Sequence, residues 1–230
     1  MGVRRVVVTI LWSALAALVA LHLYYAAMIW WWRDHPPRET AFMAERLAAL
    51  RVHDPRATIR YRFVPYGRIS VELKRAMIAA EDAKFVEHEG FDWDGIALAL
   101  EKNEKRGRIV AGGSTISQQL AKNLFLSGSR TWLRKGEEAV ITVMLESILD
   151  KRRIFELYLN VIEWGNGIFG AEAASEHYFG VAASRIDAVE AARLAAMAPN
   201  PRYYERHPGA PGLRRKIGII LARMPAADLP

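Results

Sequence analysis

Residues 112–123 read GGSTISQQLAKN, and residues 81–90 read EDAKFVEHEG. In the first stretch Gly112-Gly113 permits a tight turn and close backbone approach. Thr115 followed by Gln118 has the spacing of a capping box, so a helix starts there. Ile116, Leu120 and Leu124 then face a core, while Gln119, Lys122 and Asn123 share another, exposed side. In the second stretch a continuing helix brings Glu81, Phe85 and His88 to one face at i, i+4 and i+7. Glu81 ends the apolar run AMIAA. A carboxyl there is partly desolvated, which raises its pKa and makes it a better base. Two plainer readings stay open on spacing alone. Glu81 and Asp82 read equally as a solvated helix end, and His88 as a structural histidine.

Helical spacing spreads outward from these stretches. Leu73, Met77 and Ala80 form one apolar stripe, and Ile154, Leu157, Tyr158, Val161 and Ile162 another. Asp187 and Glu190 suit a second capping box, before a helix ended by Pro199-Asn200-Pro201. Leu213, Ile217, Ile220, Leu221 and Met224 make the last stripe. Only residues 58–64, TIRYRFV, alternate as a strand does. The expected fold is mostly α.

Residues 6–29, VVVTILWSALAALVALHLYYAAMI, contain no Asp, Glu, Lys or Arg. A helix of that length spans a bilayer, and it exceeds the roughly 7–15 apolar residues of a signal peptide. Arg4 and Arg5 before it place the N-terminus in the cytoplasm, and Trp30, Trp31 and Trp32 suit the far interface. The chain therefore divides into an anchor (1–32), a linker with a short amphipathic helix capped by Thr40 (33–54), and a helical domain (55–230). The anchor carries no chemical motif, so the domain is expected to keep its core without residues 6–29. A net charge of +7 favours anionic partners. Nothing resembles a nucleic-acid module, and the absence of cysteine removes disulfides and thiolate metal sites.

A third segment, RKGEEAVITVMLE (134–146), puts Arg134 and Glu138 at i, i+4, where they pair. Spacing alone does not decide between Glu137 and Glu138 as the inward carboxylate. A fourth, RIFELYLNVIEWGNGIFGAEAASEHYFG (153–180), reads as architecture, with glycines breaking one helix and starting the next.

EDAKFVEHEG, GGSTISQQLAKN, RKGEE, the fourth segment and EAARLAAMAPNP stand in the order and spacing of five blocks. In these the chain resembles the peptidoglycan glycosyltransferase family, and with its anchor the monofunctional biosynthetic transglycosylases, over roughly residues 55–225. The resemblance implies a lysozyme-like helical domain on a single membrane helix, its cleft opening onto the membrane. It implies that lipid II is polymerised into β-1,4 glycan strands at the bacterial cytoplasmic membrane, with the catalytic domain periplasmic. Glu81 matches the general base, and Glu138 the second glutamate, near the donor diphosphate. Lys122 and Arg134 match cations at that diphosphate. Ser114, Gln119 and Asn123 match cleft residues, with His88 and Lys135 counted beside them as substrate-binding. A divalent cation, Mg or Mn, held by Glu138 is an open expectation, and no other metal ligand is proposed. Expected partners are lipid II, the growing strand, membrane lipids, and wall-synthesis proteins of division or elongation. Arg60, Arg62 and Arg68 are expected to add affinity for anionic lipid. Arg193 and Thr142 depart from the family's usual aliphatic residue and alanine. There is no S-x-x-K or K-T-G, so no transpeptidation is expected. The rivals are a lysozyme-like glycan hydrolase and a non-catalytic membrane scaffold.

Overall fold

The computed structural model describes residues 2–108, 112–129 and 131–230. Helix α1 (Val3–Trp32) is the one described helix long and apolar enough to cross a membrane. Its last turns leave the apolar run for protein. Tyr25, Ile29 and Trp32 are buried in the core of the domain. The rings of Tyr25 and Trp32 sit 4.6 and 5.2 Å from that of Phe125. Arg153 closes the junction, donating to the carbonyls of Trp32 and His35 at 2.7 Å each. The expectation that residues 6–29 lie outside the core is corrected here. The apolar run is uniform in composition, so nothing in it marks which residues meet lipid and which meet protein.

Helix α2 (Ala41–Arg51) starts where Thr40 accepts the Met43 N–H. Of the strand expected at 58–64, only β1 (Arg60–Tyr61) pairs. It runs parallel to β3 (Ile168–Phe169), which pairs antiparallel with β2 (Glu163–Gly165), giving the order β1-β3-β2. That hairpin falls in the segment read as helix breaks. Gly170 shows why a glycine is needed beside it. Its φ is +83°, and a Cβ would lie 2.6 Å from the Asn160 carbonyl oxygen. Asn160 itself is fully buried and ties the strand segment to the helices. Its side chain accepts from the Val64 N–H at 2.9 Å and donates to the Val64 carbonyl at 3.0 Å.

The helices follow their caps. Ser70 caps α3 (Val71–Glu81), and Asp92 caps α4 (Trp93–Arg106). The Thr115/Gln118 box starts α5 (Ile116–Phe125), and Thr131 caps α6 (Trp132–Ile148). Asp150 caps α7 (Lys151–Val161). After β3 come α8 (Ala171–Phe179) and α9 (Ala188–Met197), the latter opened by the Asp187/Glu190 box. Pro201 and Pro211 stand at the first positions of α10 (Pro201–Arg206) and α11 (Pro211–Arg223), where a missing N–H costs nothing. Helix α5 packs between α6 and α7, and α3 packs against α9 and α11. Phe85, Phe155 and Tyr158, all essentially without exposure, pack ring to ring in this core, and Trp164 of β2 is buried as well. The cleft lies along the seam of these two groups.

One surface expectation changes. Arg62 pairs with Glu172 at 2.5 Å and with Glu176, so it is not an uncommitted membrane cation, whereas the exposed side chain of Arg60 has only the ring of His177 as a hydrogen-bond partner among the described residues. Thr142 is buried, and its hydroxyl donates to the Glu138 carbonyl at 2.7 Å. Nothing in the structure explains Arg193, whose Nε is buried without a hydrogen-bond partner among the described residues.

Candidate active site

Helix α3 stops at Glu81. Asp82 has φ −162°, and the chain turns rather than continuing, so Glu81, Phe85 and His88 do not share a helix face. The turn separates the two acids. Asp82 points inward and accepts the Ile116 N–H at 3.0 Å, at the start of α5. His88 completes the arrangement. Its Nδ1 accepts from the Gly90 N–H at 3.2 Å, so its proton sits on Nε2, which donates to the Asp82 carboxylate at 3.1 Å. His88 thus holds Asp82 and does not border a chamber of the cleft. Phe85 is fully buried.

Glu81 faces the cleft instead. Burial pushes its pKa above the ordinary carboxylate range. A hydrogen bond from Gln119 and the charges of Lys216 and Lys122 pull it back in part. Gln119 Nε2 donates to Glu81 Oε2 at 2.8 Å, and the Tyr158 hydroxyl donates to Gln119 Oε1 at 3.2 Å. Those two bonds fix which way the amide points.

The face of α5 expected to be exposed is cleft wall. Asn123 is buried, and Gln119 and Lys122 are half-buried. All three border a chamber of about 600 Å³, together with Arg134, Tyr158 and Asn200. Lys122 Nζ has no hydrogen bond or ion pair among the described residues. Burial pushes its pKa down, Glu138 raises it, and Arg134 and Lys135 lower it further. Arg134 donates to Glu138 Oε2 at 2.6 Å, and Lys135 pairs with Glu138 Oε1. Glu138 is 3% exposed. Two cations therefore pair with one carboxylate, and Lys122, close enough to feel its charge but unpaired among the described residues, borders the chamber beside Arg134. Glu137 points elsewhere, its Oε1 lying 3.4 Å from His22 Nε2 of α1.

A second chamber, about 360 Å³, opens on the far side of Glu81 and is bordered by Gly113, Ser114, Leu98 and Arg223. Ser114 accepts from Lys135 at 3.3 Å, linking it to the cation cluster. Gly113 is needed for proximity: a Cβ there would lie 3.0 Å from the Ile96 Cα. Glu81 also borders a smaller recess with Lys216 and Pro199. Sequence reasoning read Asn200 as part of a helix end and passed over Lys216 and Arg223. Their only signal was polar faces on helices whose apolar stripes had already been assigned.

Both Glu138 oxygens are engaged by cations, and the described residues contain no group of three or more His, Asp or Glu arranged for a metal. This donor set does not fit a resident divalent ion.

A desolvated carboxylate beside a cation-rich chamber, in a helical domain carried on a membrane helix, defines a membrane-bound group-transfer enzyme. The chain belongs to the transglycosylase family, whose model matches residues 50–225. It is 63% identical to a protein of Chromobacterium violaceum named biosynthetic peptidoglycan transglycosylase, over 96% of this chain and 99% of the relative. A protein of the same name from Dechloromonas aromatica is 64% identical, over 88% of this chain and 87% of the relative. Another, from Methylobacillus flagellatus, is 63% identical over 93% of each.

Proposed function

We propose that the chain polymerises lipid II into β-1,4-linked glycan strands, releasing undecaprenyl diphosphate. The observation that carries this reading is Glu81, desolvated and oriented by Gln119, beside the chamber bordered by Lys122 and Arg134. The acceptor hydroxyl must lose a proton as it attacks, and Glu81 takes it. The leaving group is a lipid diphosphate. It needs charge stabilisation more than protonation, and Lys122 and Arg134 provide it from fixed positions. The growing strand, as donor, occupies the cationic chamber, and lipid II, as acceptor, the chamber lined by Ser114. One displacement inverts the sugar, turning an α-linked donor into a β-linked product.

A hydrolase would need a carboxylic acid to protonate a poor leaving group and a second, free carboxylate across the bond. Glu138, the second glutamate of the cation cluster, is held by Arg134 and Lys135, and Asp82 is held by His88 and the Ile116 N–H.

Arg4 and Arg5 in the first turn of α1, with the exposed Trp30 and Trp31 at its other end, support a cytoplasmic N-terminus with the domain on the opposite side. There the enzyme works beside the division or elongation machinery. Incubating the full chain with lipid II is the test. Glycan polymer is the expected product. Breakdown of finished strands, or no reaction, overturns the reading.

A further inference from the structure

Helix α2 lies almost entirely ahead of the residues matched by the family model, yet one of its faces is cleft wall. Phe42, Glu45, Arg46 and Ala49 fall at i, i+3, i+4 and i+7, and all border the cationic chamber. Met43, on another face, is fully buried. The helix is held in place from both sides. Glu45 accepts the Gly128 N–H at 2.7 Å, and Lys122 Nζ sits 6.0 Å from the centre of the Phe42 ring.

Arg46 is the informative member. Its Nε donates to Glu163 Oε1 at 2.9 Å, and among the described residues no other partner engages its guanidinium. Arg202, from α10, approaches Glu163 Oε2 at 3.6 Å. Glu163 has a side chain only 5% exposed and accepts the Gly167 N–H at 3.3 Å. Two guanidiniums thus share one buried carboxylate, while Glu45, the other carboxylate on this wall, is turned to the Gly128 N–H, so the outer nitrogens of Arg46 are left for the chamber. This centre is built from α2, β2 and α10, apart from the Lys122 and Arg134 cluster on α5 and α6. A chamber of about 600 Å³ has room for more than a diphosphate. The substrate class proposed above also carries a peptide with free carboxylates, and a planar guanidinium matches a carboxylate in two bonds.

We propose that Arg46 and Arg202 bind a stem-peptide carboxylate of the donor strand, with Glu163 as the residue that positions Arg46. This rests on the glycosyl-transfer reading. It makes the helix between anchor and domain part of the substrate site.

The test uses the full-length chain in detergent and two lipid II substrates. One carries its ordinary stem peptide, and the other has every stem carboxyl converted to an amide. Wild type should show a KM about tenfold higher for the amidated substrate, the size of one charge-assisted bond. Arg46→Ala and Arg202→Ala should each bring the ratio of the two KM values close to one, mainly by raising KM for the charged substrate. Arg202 is half-exposed, so its variant keeps the question open to measurement if Arg46→Ala loosens α2. Equal KM values in wild type, or an unchanged ratio in both variants, overturns the proposal. A wild-type enzyme that polymerises neither substrate overturns the transfer reading, and this one with it.

Discussion

Gln119 Nε2 donates to Glu81 Oε2 across 2.8 Å, from the first turn of a helix that also carries Lys122. The residue that orients the proposed base therefore shares a rigid element with the proposed anion ligand. Gln119→Ala should lower the polymerisation rate on the order of tenfold, the worth of one such bond. It should also move the acidic limb of the rate profile to higher pH, because the lost bond is one that lowers the Glu81 pKa. A purely structural role for Gln119 would leave that limb where it is.

Glu81→Gln should reduce polymerisation by about 10²–10⁴-fold, the usual worth of a positioned base. The fold should survive, since the amide keeps the shape and still accepts from Gln119. Rates on lipid II and melting curves, taken together, check this. A variant working near the wild-type rate would place the base elsewhere.

The pKa of Glu81 gives stability and activity opposite pH trends. Folding raises it, so between the ordinary carboxylate pKa and the raised value the folded state binds more protons than the unfolded one. That contribution to stability is complete below the ordinary value and is lost as pH rises through the raised one. Glu163, also raised by burial, adds in the same direction. Activity should rise across the same window, as Glu81 loses its proton. Comparing melting temperature against pH for wild type and Glu81→Gln isolates this share, and the variant should show the shallower fall.

Glu138→Ala should harm the enzyme more than Glu137→Ala. Removing the first leaves Arg134, itself largely buried, without its carboxylate and beside Lys135, which destabilises the site. Glu137 faces α1 instead. Arg134→Lys should be impaired as well, since a point charge replaces a planar fork. Parallel assays and melts of the three variants decide the register, and a greater loss from Glu137→Ala would overturn it.

Chains beginning at residue 20 and at residue 39 should differ in stability. The shorter one loses Tyr25, Ile29 and Trp32 from the core. Full burial of a large apolar side chain is worth about 1.5–3 kcal/mol, so the difference in detergent should be plain in a melting curve. Equal melting temperatures would show that these contacts add nothing.

Local chemistry was legible in the sequence. The boxes at Thr115/Gln118 and Asp187/Glu190 stand as read, because a cap is written in residues three apart. The paired acids at 81 and 82 were legible as a pair but not in their division of labour. That division depends on a turn at Asp82 whose partner, the Ile116 N–H, is 34 residues away. The β2–β3 hairpin was hidden because its strands are two or three residues long, too short for a period to show. The chamber wall from α2 was hidden for a related reason. Arg46 meets Glu163 across 117 residues, and no local pattern reports such a contact.

Asp82 sets a further property through its bonds to His88 and to the start of α5. The end of α3 and the beginning of α5 are joined through one side chain, so the gap from the Glu81 carboxyl to the Lys122 ammonium is a fixed ruler rather than a hinge. An inhibitor spanning that gap, with a cationic or hydrogen-bonding head for Glu81 and an anionic tail for Lys122, needs no slack in its linker. Stiffening such a molecule should tighten its binding, because the enzyme has already settled the distance it must match.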